Sequence, residues 1–258
     1  MEEAQRVHEG LETVAERFAG VLERARFERR DGYTFMAFPT FPIRAVNGVW
    51  ADTDAAASQL SDALREAEEL GVPFSVRVRK GRTPAVEKMA RKLGLVAAER
   101  VPGMAVKPHE LRDPSPAELE IVPVKTADEL ARALAVATAG FGVPAQIVAP
   151  VFSLEFVQLD GWAYHMARVG GDDVAIAAGF TVGDTVGIFN VATLPAHRGR
   201  GYAGTLTTHA VRAGFAAGAA FAYLESSTMG ESVYRRLGFR EVETYRMLAR
   251  PRKVSATS

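Results

Sequence analysis

Residues 191–204 read VATLPAHRGRGYAG, and the organisation of the whole chain follows from them. The apolar, β-branched positions Val186, Ile188 and Val191 lead in as a strand. After Pro195 come two arginines interleaved with glycines. Residues 205–217, rich in alanine and threonine and free of proline, continue as a helix. The order is therefore strand, basic glycine-rich turn, helix. Glycines let consecutive backbone N–H groups converge on one concavity, and a helix N-terminus adds the positive end of its dipole. With Arg198 and Arg200 supplying charge, such a turn is built to hold phosphate.

Composition narrows the partners. Over 258 residues, 48% hydrophobic and 24% charged positions describe a folded chain, long enough for one large domain or two ordinary ones. Lys+Arg and Asp+Glu are both 31, so neither nucleic acid nor an acidic membrane is an expected partner; a local basic site remains open. The absence of cysteine excludes disulfides, zinc–thiolate sites and a cysteine nucleophile. The acidic start Met1-Glu2-Glu3 leads us to expect no secretory or mitochondrial signal, and no apolar run reaches the roughly 18–20 residues of a membrane span. A soluble cytoplasmic protein is the expectation.

Ahead of the turn, Val7, Leu11, Val14, Phe18, Val21 and Leu22 recur at helical spacing, so residues 3–30 read as one or two amphipathic helices ended by Gly32. Strands are expected over 33–38 and 45–50, and a helix over 55–70 closed by Gly71. A half-buried alternating strand is expected over 74–79, a helix from Pro84, and strands over 96–106 broken at Pro102-Gly103. Residues 107–118, with prolines at 108, 114 and 116, read as a linker, giving domains 1–112 and 119–258. The second begins with a strand over 119–124 and a helix over 128–138 capped by Asp128. A partly helical segment over 141–159 follows, then a hairpin of strands 162–169 and 174–182 around Gly170-Gly171.

The two halves echo each other. Residues 63–74, ALREAEELGVPF, lie over residues 210–221, AVRAGFAAGAAF, without a gap, and residues 91–95, RKLGL, match residues 235–239, RRLGF. Helix, strand and helix recur in the same order, as in a duplicated fold. Extended backwards, the echo sets Arg198-Gly199-Arg200-Gly201-Tyr202-Ala203 over Ala51-Asp52-Thr53-Asp54-Ala55-Ala56, which has two carboxylates and no glycine. Acids there repel phosphate. Tyr234 likewise falls on Ala90, so only the second half keeps the chemistry.

Residues 199–204 fit G-x-G-x-x-G, and Glu225 ends the next strand where a Rossmann domain places its ribose-binding acid. Against that reading, five residues separate the strand from the first glycine, and too little chain follows for further βαβ units. The better fit is Arg198-x-x-Gly201-x-Ala203. It resembles the R/Q-x-x-G-x-G/A loop of the GCN5-related N-acetyltransferase (GNAT) superfamily, with Val233-Tyr234-Arg235-Arg236-Leu237-Gly238-Phe239 resembling that family's second signature. The order of elements from Leu119 to about Pro251 is similar too, and the first half resembles a degenerate copy. The resemblance implies an α/β (α+β) protein of two GNAT-like domains, each a mixed, mostly antiparallel sheet flanked by helices.

It also implies an activity: acetyl-CoA-dependent transfer of an acetyl group to a primary amine of a small molecule or peptide, by direct attack in a ternary complex. The amides of Gly199, Arg200, Gly201, Tyr202, Ala203 and Gly204, with Arg198 alongside, would hold the coenzyme's pyrophosphate. Val191, Ala192 and Thr193 would pair with the pantetheine arm as a strand does. Strand 220–226 would splay away, Tyr234 would protonate the leaving thiolate, and Glu225 would deprotonate the amine. No metal is implied.

Plainer readings stand beside these. Tyr234 alone would be a packing residue, Glu225 a solvated strand end, His197 a surface or phosphate-adjacent residue rather than a base, and Arg235 and Arg236 a solvated face. Asn190 is a poor base that could orient a water. His165 is structural or substrate-facing, and Gly140-Phe141-Gly142 a flexible edge of the substrate site. Ser226 and Ser227 stand where relatives carry a pantetheine-binding asparagine. The degenerate half completes the cleft, forms a homodimer or stabilises its neighbour. The alternative to an enzyme is a non-catalytic acyl-CoA-binding regulator.

Overall fold

The computed structural model describes residues 2–114 and 117–251; Ser115 and Pro116 of the expected linker lie outside the described residues. The first half runs α1 (Glu3–Ala19), β1 (Arg26–Arg30), β2 (Tyr33–Ala37), β3 (Gly48–Ala51), α2 (Leu60–Glu69), β4 (Ser75–Arg79), α3 (Pro84–Lys92) and β5 (Val96–Val106). The second runs β6 (Glu120–Val124), α4 (Ala127–Phe141), α5 (Ala145–Val148), α6 (Leu154–Val157), β7 (Trp162–Val169), β8 (Asp172–Val182), β9 (Thr185–Thr193), α7 (Tyr202–Ala216), β10 (Phe221–Glu225), α8 (Glu231–Arg236) and β11 (Arg240–Ala249).

By packing, the chain divides into two units, and not at the proline-rich segment. One unit joins the residues up to Arg17 to Pro102–Val242; the other joins Phe18–Val101 to the chain from Glu243 on. The chain crosses inside α1, β5 and β11. Residues 107–114 are no free linker: Arg112 N–H donates to the Leu237 carbonyl at 2.9 Å, Asp113 pairs with Arg212, and Leu111 packs on the core beside Leu237.

In the unit containing β10, the strand order is β5-β10-β9-β8-β7-β6, antiparallel except for β9 beside β10. One face packs on α7 through Val186, Ile188, Ala210, Val211, Ala222 and Leu224. On β10 the other face carries Phe221 and Tyr223, covered by α1. There Arg6 lies 4.4 Å over the Phe221 ring and pairs with Asp184 at 2.8 Å. Gly10 sits so near Tyr223 that a Cβ would lie 2.5 Å from its ring, so a larger residue would push the helix away.

In the other unit the order is β1-β2-β3-β4-β11, antiparallel except for β3 beside β4. The succession β1-β2-β3-α2-β4-α3 repeats β7-β8-β9-α7-β10-α8. The strand that follows then changes unit: β10 is flanked by β5, and β4 by β11.

Several local expectations are corrected. Residues 26–30 form a strand, because Gly32 (φ 78°) closes a hairpin onto β2, and Arg26 and Arg30 pair with Glu28 on the same strand and with Glu66 of α2. β4 is buried on both faces: Val76 and Val78 enter the core, while Arg77, 1% exposed, lies with its guanidinium 4.0 Å from both the Trp50 and Tyr245 ring centres. β5 runs unbroken through Pro102-Gly103. The cap of α4 is Thr126, in a capping box with Glu129, not Asp128.

Candidate active site

The site is built on a fork. β9 and β10 pair only from Thr185–Phe221 to Ile188–Leu224. The rest of β9, through Thr193, is held from the β8 side alone, with Ala178 opposite Phe189, Ile176 opposite Ala192, and a shift of register between them. Asn190 sits in that irregularity with φ 51°, a left-handed conformation asparagine tolerates better than most residues. Its Nδ2 donates to the Tyr164 hydroxyl at 2.8 Å, which donates in turn to the Val151 carbonyl at 2.8 Å. Beyond Ile188, β9 therefore offers a strand edge on the side β10 has left. Val191, Ala192 and Thr193 lie on it.

Next in the chain comes the glycine turn. Pro195–His197 make one 3-10 turn, Arg198 is extended, and Gly199 (φ 76°) and Gly201 (φ 86°) take left-handed conformations that glycine adopts without strain. Gly201 is the N-cap of α7 and supplies no side-chain cap. The first helical bond here is Thr205 N–H to the Gly201 carbonyl at 3.0 Å. Among the described residues, the N–H groups of Gly199, Arg200, Gly201, Tyr202, Ala203 and Gly204 have no protein acceptor. Amides left without acceptors at a helix start suit an anion.

Not every side chain in the turn faces that site. Arg200 is exposed. Arg198 reaches back, donating through Nη2 to the Gly140 carbonyl at 2.7 Å and through Nε to the Thr193 carbonyl at 3.4 Å. The Tyr202 side chain is buried among Ala167, Val174, Ala175, Ala177 and Leu206, so only its amide is available. Gly204 brings α7 close to α8 and the end of the proline-rich segment: a Cβ there would lie 3.8 Å from both Val233 and Pro114. Gly140 is no flexible edge. A Cβ on it would lie 2.9 Å from that of Ala192, so α4 meets the β9 backbone in a tight joint.

Tyr234, on α8, is 8% exposed and packs in a cluster with Leu224, Leu237 and Phe239 that Val191 borders. Gly230 makes room for its ring, where a Cβ would lie 2.9 Å from Tyr234 Cε2. Burial pushes the phenol up to about 12, so it stays protonated near neutral pH. Glu225 ends β10, half-buried, one residue past the last β9–β10 pair and opposite Gly103 of β5.

His165 turns away from the fork, packing edge-on against His209 of α7 with ring centres 4.5 Å apart. Ser226 is buried and bonds backbone on both sides, its N–H to Pro102 and its hydroxyl to Ser227. Tyr164, which anchors Asn190, carries no motif signal; only its parity opposite His165 on β7 distinguishes it.

Residues 160–241 match the family model described as the acetyltransferase (GNAT) domain. A GCN5-related N-acetyltransferase from Kribbella flavida superposes with a TM-score of 0.76 at 22% identity, over 99% of this chain and 98% of that one. A GCN5-related N-acetyltransferase from Sphaerobacter thermophilus gives 0.60 at 16%, over 85% and 81%. A tandem GNAT protein from the clavulanic acid biosynthesis pathway gives 0.60 at 13%, over 92% and 86%. At these identities the likeness is one of fold. No curated protein matches the chain in sequence. Among the described residues, no single helix is long and apolar enough to cross a membrane.

Proposed function

Because residues 160–241 match the family model of the acetyltransferase (GNAT) domain, we propose that this protein is an acetyl-CoA-dependent N-acetyltransferase working at the fork between β9 and β10. One observation carries the reading: the row of amides without acceptors from Gly199 to Gly204 stands directly after the strand edge that β10 has left. The amides suit a pyrophosphate, and the backbone of Val191, Ala192 and Thr193 suits the amides of a pantetheine arm. Acetyl-CoA bound there supplies the thioester acetyl group. Tyr234 holds a proton at Oη for the departing sulfur, and Glu225, at the mouth of the fork, takes the proton that the amine loses on attack. Holding the reactants in line contributes most of the rate.

The first half is the degenerate copy. Its β3 has only four residues, three of them paired with β4, so no strand edge overhangs. The counterpart of the glycine turn is satisfied internally: Asp52 and Thr53 N–H groups donate to the Gly32 carbonyl, and Ala55 N–H to Thr53 Oγ1. Asp54 Oδ1 accepts from Ala85 N–H at 2.8 Å, placing a carboxylate at the start of α3. The two halves thus give one working site.

A thiol-release assay with acetyl-CoA and a panel of amines tests the proposal. Amine-dependent release of coenzyme A is expected. Tight acetyl-CoA binding without turnover on any amine would make the protein a regulator instead.

A further inference from the structure

We infer that Asn190 receives the acceptor amine, its side-chain carbonyl Oδ1 taking one of the amine's N–H groups at the fork. The inference rests on the proposed transferase reading and adds to it a specific contact.

The polarity of one hydrogen-bonded chain carries it. The Val151 carbonyl can only accept, so the single proton of Tyr164 must go to it, across 2.8 Å. The Tyr164 oxygen is then left to accept, and the donor opposite it must be Asn190 Nδ2, also at 2.8 Å. With Nδ2 committed, Oδ1 is the free end of the amide, and among the described residues no donor is bound to it. Burial pushes the Tyr164 hydroxyl far above its usual range, so it stays protonated and the chain does not reverse as pH rises. Asn190 therefore presents a fixed, neutral acceptor.

Placement selects the ligand. Asn190 is half-buried, two residues beyond the last β9–β10 pair and one before Val191. Its left-handed backbone turns the side chain to Tyr164, on the sheet face where Phe152 stacks on Tyr164 and Val151 anchors it. That face is opposite the one α7 covers, and the segment from α5 to α6 brings Val151 and Phe152 to it. A carboxylate at this position would hold the amine as an ammonium ion, which cannot attack. A neutral amide oxygen binds an N–H without favouring the charged form. The chemistry fits a primary amine, with one N–H held by Oδ1 and another proton left to be lost on attack.

The test uses N190G, N190D and Y164F in the full chain. Glycine suits φ 51° and removes only the side chain, so N190G should fold. The probe is the best acceptor found among phenethylamine, spermidine, kanamycin and a lysine-containing peptide. For N190G, the KM for that amine should rise about 10-fold, as expected for a lost hydrogen bond, with the calorimetric Kd for acetyl-CoA unchanged. Y164F should shift the same KM less, and N190D, whose carboxylate favours the ammonium form, should still bind the amine but lower kcat at neutral pH. If N190G leaves kcat and KM for the amine at wild-type values, the inference fails while the transferase reading stands. If instead the acetyl-CoA affinity falls and the amine KM does not, Asn190 faces the coenzyme and the inference is wrong. If the wild-type protein acetylates no amine, both fall together.

Discussion

Arg198 donates through Nη2 to the Gly140 carbonyl at 2.7 Å, joining the turn before α7 to the last turn of α4. A guanidinium there answers the negative end of the α4 dipole and an otherwise uncapped carbonyl. Its charge is therefore engaged at α4, and in the proposed site the backbone amides are left to bind the anion. Arg198→Glu should both unseat α4 and set a carboxylate beside the phosphate site. We expect a stability loss of about 1 kcal/mol, given the exposure of the side chain, and loss of acetyl-CoA binding in calorimetry. Unchanged affinity would remove this turn from the coenzyme site.

Gly201 offers a cleaner probe of the amide row. Its φ of 86° penalises any side chain, and an aspartate there would put its own carboxylate over the N–H groups of α7. Gly201→Asp should abolish acetyl-CoA binding while the far-ultraviolet circular dichroism stays native. Retained binding would mean that the phosphate sits elsewhere.

Tyr234→Phe should lower kcat about 100-fold with little change in acetyl-CoA affinity, since only the proton is removed. With its phenol pushed up to about 12, Tyr234 should put no alkaline limb on the wild-type rate profile below about pH 10. The raised value also means that the folded state keeps this proton when the unfolded chain has lost it. Its contribution to stability should therefore fall as pH rises between about 10 and about 12. A variant with wild-type turnover would leave Tyr234 as a packing residue only.

His165 gives the opposite sign at acid pH. Burial first, then the neighbouring His209 and Lys125, push its imidazole down from 6.5 to about 4. The unfolded chain takes up a proton near pH 6.5 and the folded one does not. The contribution of His165 is therefore complete above 6.5 and is lost as pH falls towards about 4. The melting temperature of His165→Gln should fall less steeply than that of the wild type over this window. Parallel curves would show that the imidazole is already charged in the fold.

The sequence made the turn and Tyr234 legible because their chemistry is local. Gly199 and Gly201 need positive φ, and Tyr234 needs the small residue at Gly230 and the leucine after it. The strand edge at Val191–Thr193 was anticipated only through the family resemblance, since its own residues look like any other strand. What stayed hidden depends on partners distant in the chain. Arg198 reads as a phosphate ligand until Gly140 is brought beside it. Tyr164 reads as an ordinary strand aromatic until Asn190 and Val151 close on its hydroxyl. Arg77 reads as a solvated strand residue, because nothing local announces that Trp50 and Tyr245 will enclose it. The division at 107–118 followed composition, whereas the packing units follow the routes of β5 and β11.

The crossing of β5 and β11 sets an order on biosynthesis. The unit built on β1 to β4 lacks its last strand until the chain from Glu243 has been made, and the unit built on β6 to β10 ends at Val242. A nascent chain thus holds the β1–β4 sheet with a bare β4 edge until the chain from Glu243 has been made. Neither unit can be cut out as one continuous gene fragment, and a shuffled copy of either would have to bring along a strand encoded in the other half.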